Sequence, residues 1–145
     1  MRSNRGVGLI DVMITVMLLG MAGVIFTATF PTGHSALNQA EDTKKAVELA
    51  QKKLEQVKAL GYESLSYTNL RAANAIDEDQ TSSPYNFTSV DNLAKSLASS
   101  SGTLEITNYA AGIKKVVATV SWNSSGVARS VKVQTLIADK RPWGA

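Results

Sequence analysis

The chain has no cysteine, one histidine (His34) and three prolines in 145 residues, and only 6% of it is aromatic. Without cysteine there is no disulfide, no thiolate nucleophile and no cysteine-held metal. A single isolated histidine removes the usual general base and most transition-metal sites. No glycine-rich phosphate loop and no pair of carboxylates on a rigid scaffold is present. Neither an enzyme nor a bound cofactor is expected. The sparse aromatics also leave no stacking platform for nucleic-acid bases.

What the chain does have is a long apolar run near its start. Val7 to Phe30 is about 24 residues, or roughly 36 Å as a helix, and a hydrocarbon core is ~30 Å thick. Arg2 and Arg5 precede the run, and no basic residue follows until Lys44. The positive-inside rule keeps the N-terminus cytoplasmic and sends the remainder outward. Removing those two arginines takes the net charge from +3 to +1, so the basic pI is no sign of a nucleic-acid partner. One acid, Asp11, stands inside the run. Hydrocarbon is a poor solvent for a carboxylate, so a charge there marks a site with a partner. A plain single-pass anchor leaves Asp11 unexplained. A cleaved secretory signal, cut near Thr27–Thr29, is a second reading, but its apolar core is normally ~7–15 residues.

Pro31 and Gly33 interrupt the run, with Pro31 expected as a kink and Ser35 as a cap for the resumed helix. From Ala36 to Leu60 the pattern turns amphipathic. Val47, Ala50, Leu54 and Val57 make one stripe, extended by Leu37, Ala40 and Leu60. Glu41 with Lys45, and Glu48 with Lys52, are expected i,i+4 pairs on the other face. Gly61 is the expected C-cap. The stripe needs a sheet to cover it.

Residues 62–102 read as a mixed, polar loop region in which Asp91 to Ala98 forms a short helix burying Leu93, Ala94 and Leu97. Within it, Asp77 and Asp79 alternate like part of a calcium loop, but the glycine and closing Glu are missing. A solvated acidic turn is expected. TLEITNYA, IKKVVATVSW and VARSVKVQTLIA predict three antiparallel strands over 103–138, followed by a tail over 139–145. Val116, Ala118, Val120 and Trp122 share a face, as do Val127, Val131, Val133 and Ile137. Leu104 and Ile106 join them against the helix. Lys115, Thr119, Ser121, Lys132 and Gln134 are assigned to the wet side. Lys114, Lys115, Arg129 and Lys132 concentrate positive charge. A phosphate-binding strip for DNA is one use of it, and an ordinary solvated sheet is the expected one.

The N-terminal residues also resemble the class III signal of type IV pilins and type II secretion pseudopilins. In that family a short basic leader ends in glycine, and the apolar helix that follows carries an acid at its fifth position. Here MRSNRG ends in Gly6, Val7 would become the new N-terminus, and Leu9, Ile10 and Asp11 match the apolar-apolar-acidic triplet. Gly20 and Pro31 fall about where the family loosens and kinks its helix. The family usually has Glu in place of Asp11, and an aromatic or Met in place of Val7. The resemblance covers roughly residues 1–60. It implies a leader (1–6) removed by an inner-membrane prepilin peptidase, methylation of the Val7 amine, and pairing of Val7 with Asp11 between subunits. It further implies a membrane- and filament-core helix (7–30), an amphipathic continuation (31–61) and an α+β fold with a small antiparallel sheet. Partners would be copies of itself, other pilins and an inner-membrane assembly platform, with the precursor in the inner membrane and the product in a surface or periplasmic filament. ELAQKKLEQVKALGYESL looks more like minor pilins or pseudopilins than a major subunit. The competing class is a membrane-anchored binding module that never polymerises, such as a DNA or surface receptor.

Overall fold

The computed structural model describes residues 8–140, with the backbone alone for 28–34. The fold is α+β, with an N-terminal apolar helical segment and a four-stranded antiparallel sheet. Two compact units divide the chain, Met1–Gln39 and Ala40–Ala145.

Helix α1, Leu9–Leu60, runs without interruption past Gly20 and Pro31. Ser35 therefore does not cap a new helix. It lies within α1, and its hydroxyl accepts a hydrogen bond from Gln39 Nε2 at 3.3 Å. The helix stops at Leu60 because Gly61 adopts φ 79° and ψ 170°, a backbone region open almost only to glycine.

In the second unit, α1 turns one face to the core. Ala46, Ala50, Leu54 and Val57 are buried on it, at helical spacing. The expected phase is corrected by about one residue at its start: Ala46 is buried where Val47 is only half-covered, and Ala40 is exposed. Leu37, in the first unit, is exposed too. On the outer face Glu41 and Lys45 pair at 2.7 Å, while Glu48 sits 3.9 Å from Lys44 rather than pairing forward with Lys52.

Strands β1 (Tyr85–Asn86), β2 (Ser101–Ala110), β3 (Ile113–Ser124) and β4 (Val127–Ala138) lie in sequence order across the sheet. The three long strands are those expected; β1 is an addition at one edge. Pairing of β3 with β4 runs unbroken from Ile113↔Ala138 to Ser124↔Val127. Ser125 and Gly126 both have positive φ, as a two-residue hairpin with right-handed strand twist requires. Side chains alternate across the pleat, so Leu104, Val116, Ala118, Val120, Trp122 and Ile137 enter one core with the buried face of α1. Val127 is on that face but exposed, at the hairpin end. Each fully buried aliphatic side chain stabilises the unit by roughly 1.5–3 kcal/mol.

Residues 62–100 hold more structure than a loop. A short helix α2, Tyr67–Ala72, buries Leu70. Leu93 and Leu97 are buried as expected, but Ala94 is exposed and the expected helix is only a 3₁₀ turn, Leu93–Lys95. Asn92 explains this, because its left-handed backbone (φ 49°, ψ 46°) breaks helical propagation from Asp91. Ser124 Oγ donates to Asp42 Oδ2 at 3.0 Å and ties the end of β3 to α1.

At Gly102 the sheet and the loop press close together. A Cβ there would lie 2.5 Å from Phe87 Cε2 and 2.7 Å from Leu93 Cδ1, both in fully buried side chains. Gly102→Ala is expected to destabilise the second unit by about 1–3 kcal/mol through overpacking. Chemical denaturation of the full-length chain in detergent, followed by the fluorescence of its two tryptophans, Trp122 and Trp143, reads it; an unchanged midpoint would contradict the close packing.

Candidate functional site

In the first unit, Leu9–Thr27 is a 19-residue stretch of mean hydropathy 2.4, long and apolar enough to cross a membrane, and none of it is buried. Its large side chains are open, with Leu9 80% exposed and Phe26 72% exposed. Two hydroxyls in it are satisfied within the helix. Thr15 Oγ1 donates to Asp11 O, and Thr27 Oγ1 donates to Gly23 O, both at 2.7 Å. Such internal bonding is what a hydroxyl needs where water is absent.

Asp11 lies in the first turn of α1, with its side chain exposed. A carboxylate there also meets the positive end of the helix dipole, a local source of stabilisation worth typically 0.3–1 kcal/mol. Gly6, Val7, Arg141 and Trp143 lie outside the described residues, as do the side chains of Pro31 and His34.

Lys114, Lys115, Arg129 and Lys132, the residues of the alternative phosphate-binding strip, do not share one surface. Lys114 and Arg129 alternate with Val116 and Val131 on the helix-facing side, while Lys115 and Lys132 point to the opposite one. Lys114 Nζ sits 4.7 Å from the centre of the Tyr62 ring, a cation–π contact at the end of α1. The wet face assigned from sequence, with Lys115, Thr119, Ser121, Lys132 and Gln134, is as expected.

The most concentrated polar chemistry sits where the sequence suggests none. Lys53 is 1% exposed, inside the apolar face of α1. Its Nζ lies 3.0 Å from Asp91 Oδ1 and 2.9 Å from Oδ2, and donates to Ala75 O and Gln56 Oε1, each at 3.0 Å. The Phe87 ring centre is 5.1 Å away. Burial pushes the Lys53 ammonium below the ordinary lysine value of 10.5, and the Asp91 carboxylate opposes that fall. Gln56 Nε2 in turn donates to Ala73 O at 3.2 Å, so two neighbouring helical side chains hold the loop backbone. Written as part of a KK pair, Lys53 reads as solvated. Its phase gives it away, three residues after Ala50 and four before Val57.

Asp77 corrects the expectation of a solvated acidic turn. It is only 8% exposed, and its carboxylate accepts the Ser89 N–H at 2.9 Å and the Val90 N–H at 2.7 Å. Asp79 is exposed and accepts from Asn86 Nδ2 at 3.0 Å. Among the described residues no group of three or more His, Cys, Asp or Glu is placed to hold a metal ion. Asp77 is thus a staple across the loop.

No family model, curated protein or solved structure matches the chain.

Asp77→Ala should strand two backbone donors in a partly buried loop and destabilise it by roughly 1–3 kcal/mol. Faster proteolytic cleavage between residues 73 and 91, with cleavage elsewhere in the chain unchanged, is the expected pattern. Unchanged protection of that loop would show that the two bonds do not hold it.

Proposed function

We propose that the chain is a structural subunit of a type IV pilus or pilus-like filament, assembled through its N-terminal helix. The observation that carries this reading is the exposed apolar stretch Leu9–Thr27 with Asp11 in its first turn, preceded in the sequence by Arg2, Arg5 and Gly6. The small α+β unit that follows is the kind of body such a subunit would display, and it supports the reading only at that coarse level.

In this reading a prepilin peptidase cuts after Gly6 and frees an α-amino group at Val7, cationic near neutral pH. Leaving that ammonium and the Asp11 carboxylate bare in hydrocarbon is costly, by ~2.5–3.5 kcal/mol per charge at mid-membrane and less near the edge. Pairing Asp11 with the Val7 amine of an adjacent subunit removes both penalties. A neighbour out of register leaves both charges unpaired, so the pair selects stagger more than it adds stability. Apolar helices gain little from leaving lipid for one another, so the assembly platform must supply work. The precursor waits in the inner membrane, with its second unit on the extracytoplasmic side.

A non-polymerising membrane-anchored binding module would use the same apolar helix. Sequencing the N-terminus of the membrane-extracted protein separates the two readings. A chain that begins at Val7 is expected; one that begins at Met1, or after Ala28, would overturn the filament reading. Asp11→Ala is expected to insert and fold normally yet enter sheared filaments poorly, at least tenfold below wild type if about 1.4 kcal/mol of registry is lost. Incorporation at the wild-type level would remove the pairing from the mechanism.

A further inference from the structure

We propose that Lys53 and Asp91 condense to an intramolecular amide, a covalent tie between α1 and the segment that leads into the sheet. The proposal is independent of the filament reading.

Proximity is the first requirement, and it is met. Lys53 Nζ lies 3.0 and 2.9 Å from the two oxygens of the Asp91 carboxyl group, in direct contact with the group that would acylate it. Both groups are held in place, Lys53 by a packed helix and Asp91 by a backbone bond from its N–H to Phe87 O at 3.3 Å. Held so, two groups react at effective molarities that free reactants never reach.

Orientation is the second requirement. A neutral lysine amine has two N–H bonds and one lone pair. Ala75 O and Gln56 Oε1 are both 3.0 Å from Nζ and serve as acceptors for those two N–H bonds. The remaining direction, which the lone pair would take, faces Asp91. The two neutral acceptors are separate from the carboxyl group.

Dryness is the third. The Lys53 side chain is wholly covered, with the Phe87 ring 5.1 Å from its charge, and that of Asp91 is only 21% exposed. A dry setting penalises the ammonium–carboxylate pair against the neutral amine–acid pair, which arises by moving one proton along the existing hydrogen bond. The downward push of burial on the Lys53 ammonium acts in the same direction.

The step balances without any other reactant. The ammonium gives one proton to a carboxylate oxygen, and the amine lone pair attacks Cγ to form the N–C bond. A second proton moves from nitrogen to the hydroxyl oxygen, the C–O bond breaks with its electron pair, and water leaves through the exposed edge of Asp91. One N–H remains, still within reach of Ala75 O. Two buried charges are thereby replaced by one neutral amide.

Intact-mass spectrometry of the full-length chain, purified in detergent and held at neutral pH, tests this. The expected chain is lighter by the mass of one water than the mass calculated from its own sequenced N-terminus, any methyl group on that terminus counted. Digestion should release a branched peptide joining the Lys53 and Asp91 segments. Lys53→Arg keeps the positive charge but has no primary amine, and it should show full mass. Asp91→Asn should lose one ammonia instead and give the same branched peptide. A folded wild-type chain at full mass overturns the proposal. So does a loss of water that persists in Lys53→Arg, because it would lie elsewhere in the chain.

Discussion

An ammonium group with little water around it must find its acceptors in the protein, and Lys53 finds them in three separate stretches of chain. Gln56 is one turn away on the same helix, Ala75 follows α2, and Asp91 precedes the 3₁₀ turn. The residues from 73 to 91 are therefore fixed relative to α1 by one charged side chain. An apolar residue at this position would fill the space but specify nothing about how the loop is laid down. Removing one partner of such a buried pair is far more damaging than replacing both, which is why it fixes arrangement more than it adds stability. Gly102, Phe87 and Leu93 then close over the same region, where even one extra methyl group has no room.

The regular parts of this fold were legible in the sequence, for physical reasons that can be named. Val116, Ala118, Val120 and Trp122 alternate because a strand buried on one face must, and the structure keeps that register to the end of the hairpin. The α1 stripe followed from 3.6-residue periodicity, though its start slipped from Ala46 to Val47 because both are apolar. Ser35 looked like a cap only because Pro31 and Gly33 interrupt the apolar run. The short β1 was not legible: two residues carry no period, and their pairing with Leu104 and Thr103 is set by tertiary contacts.

Polar residues whose partners are distant in sequence were the least legible. Asp77 looked like half of an acidic turn, yet its acceptor oxygens serve backbone N–H groups twelve and thirteen residues away. Lys53 has its carboxylate 38 residues away. Charge type predicts exposure only when no partner waits inside. Neighbouring lysines such as Lys114 and Lys115 point to opposite faces of a strand, so a run of basic residues in the sequence is not one basic surface.

Asp11 and Lys53 pose the same problem in two solvents. Each is a charge on an apolar helical face, and each makes sense only with a counter-charge. For Lys53 the counter-charge comes from the same chain, so folding alone satisfies it, and its place in the core follows from intramolecular contacts. The Asp11 carboxylate is exposed on a helix whose apolar side chains are exposed as well. In the proposed function its counter-charge is created by processing and brought by the next subunit. The penalty that makes a lone buried charge unfavourable would then act between molecules as a rule for assembly, as it acts within the second unit as a rule for folding.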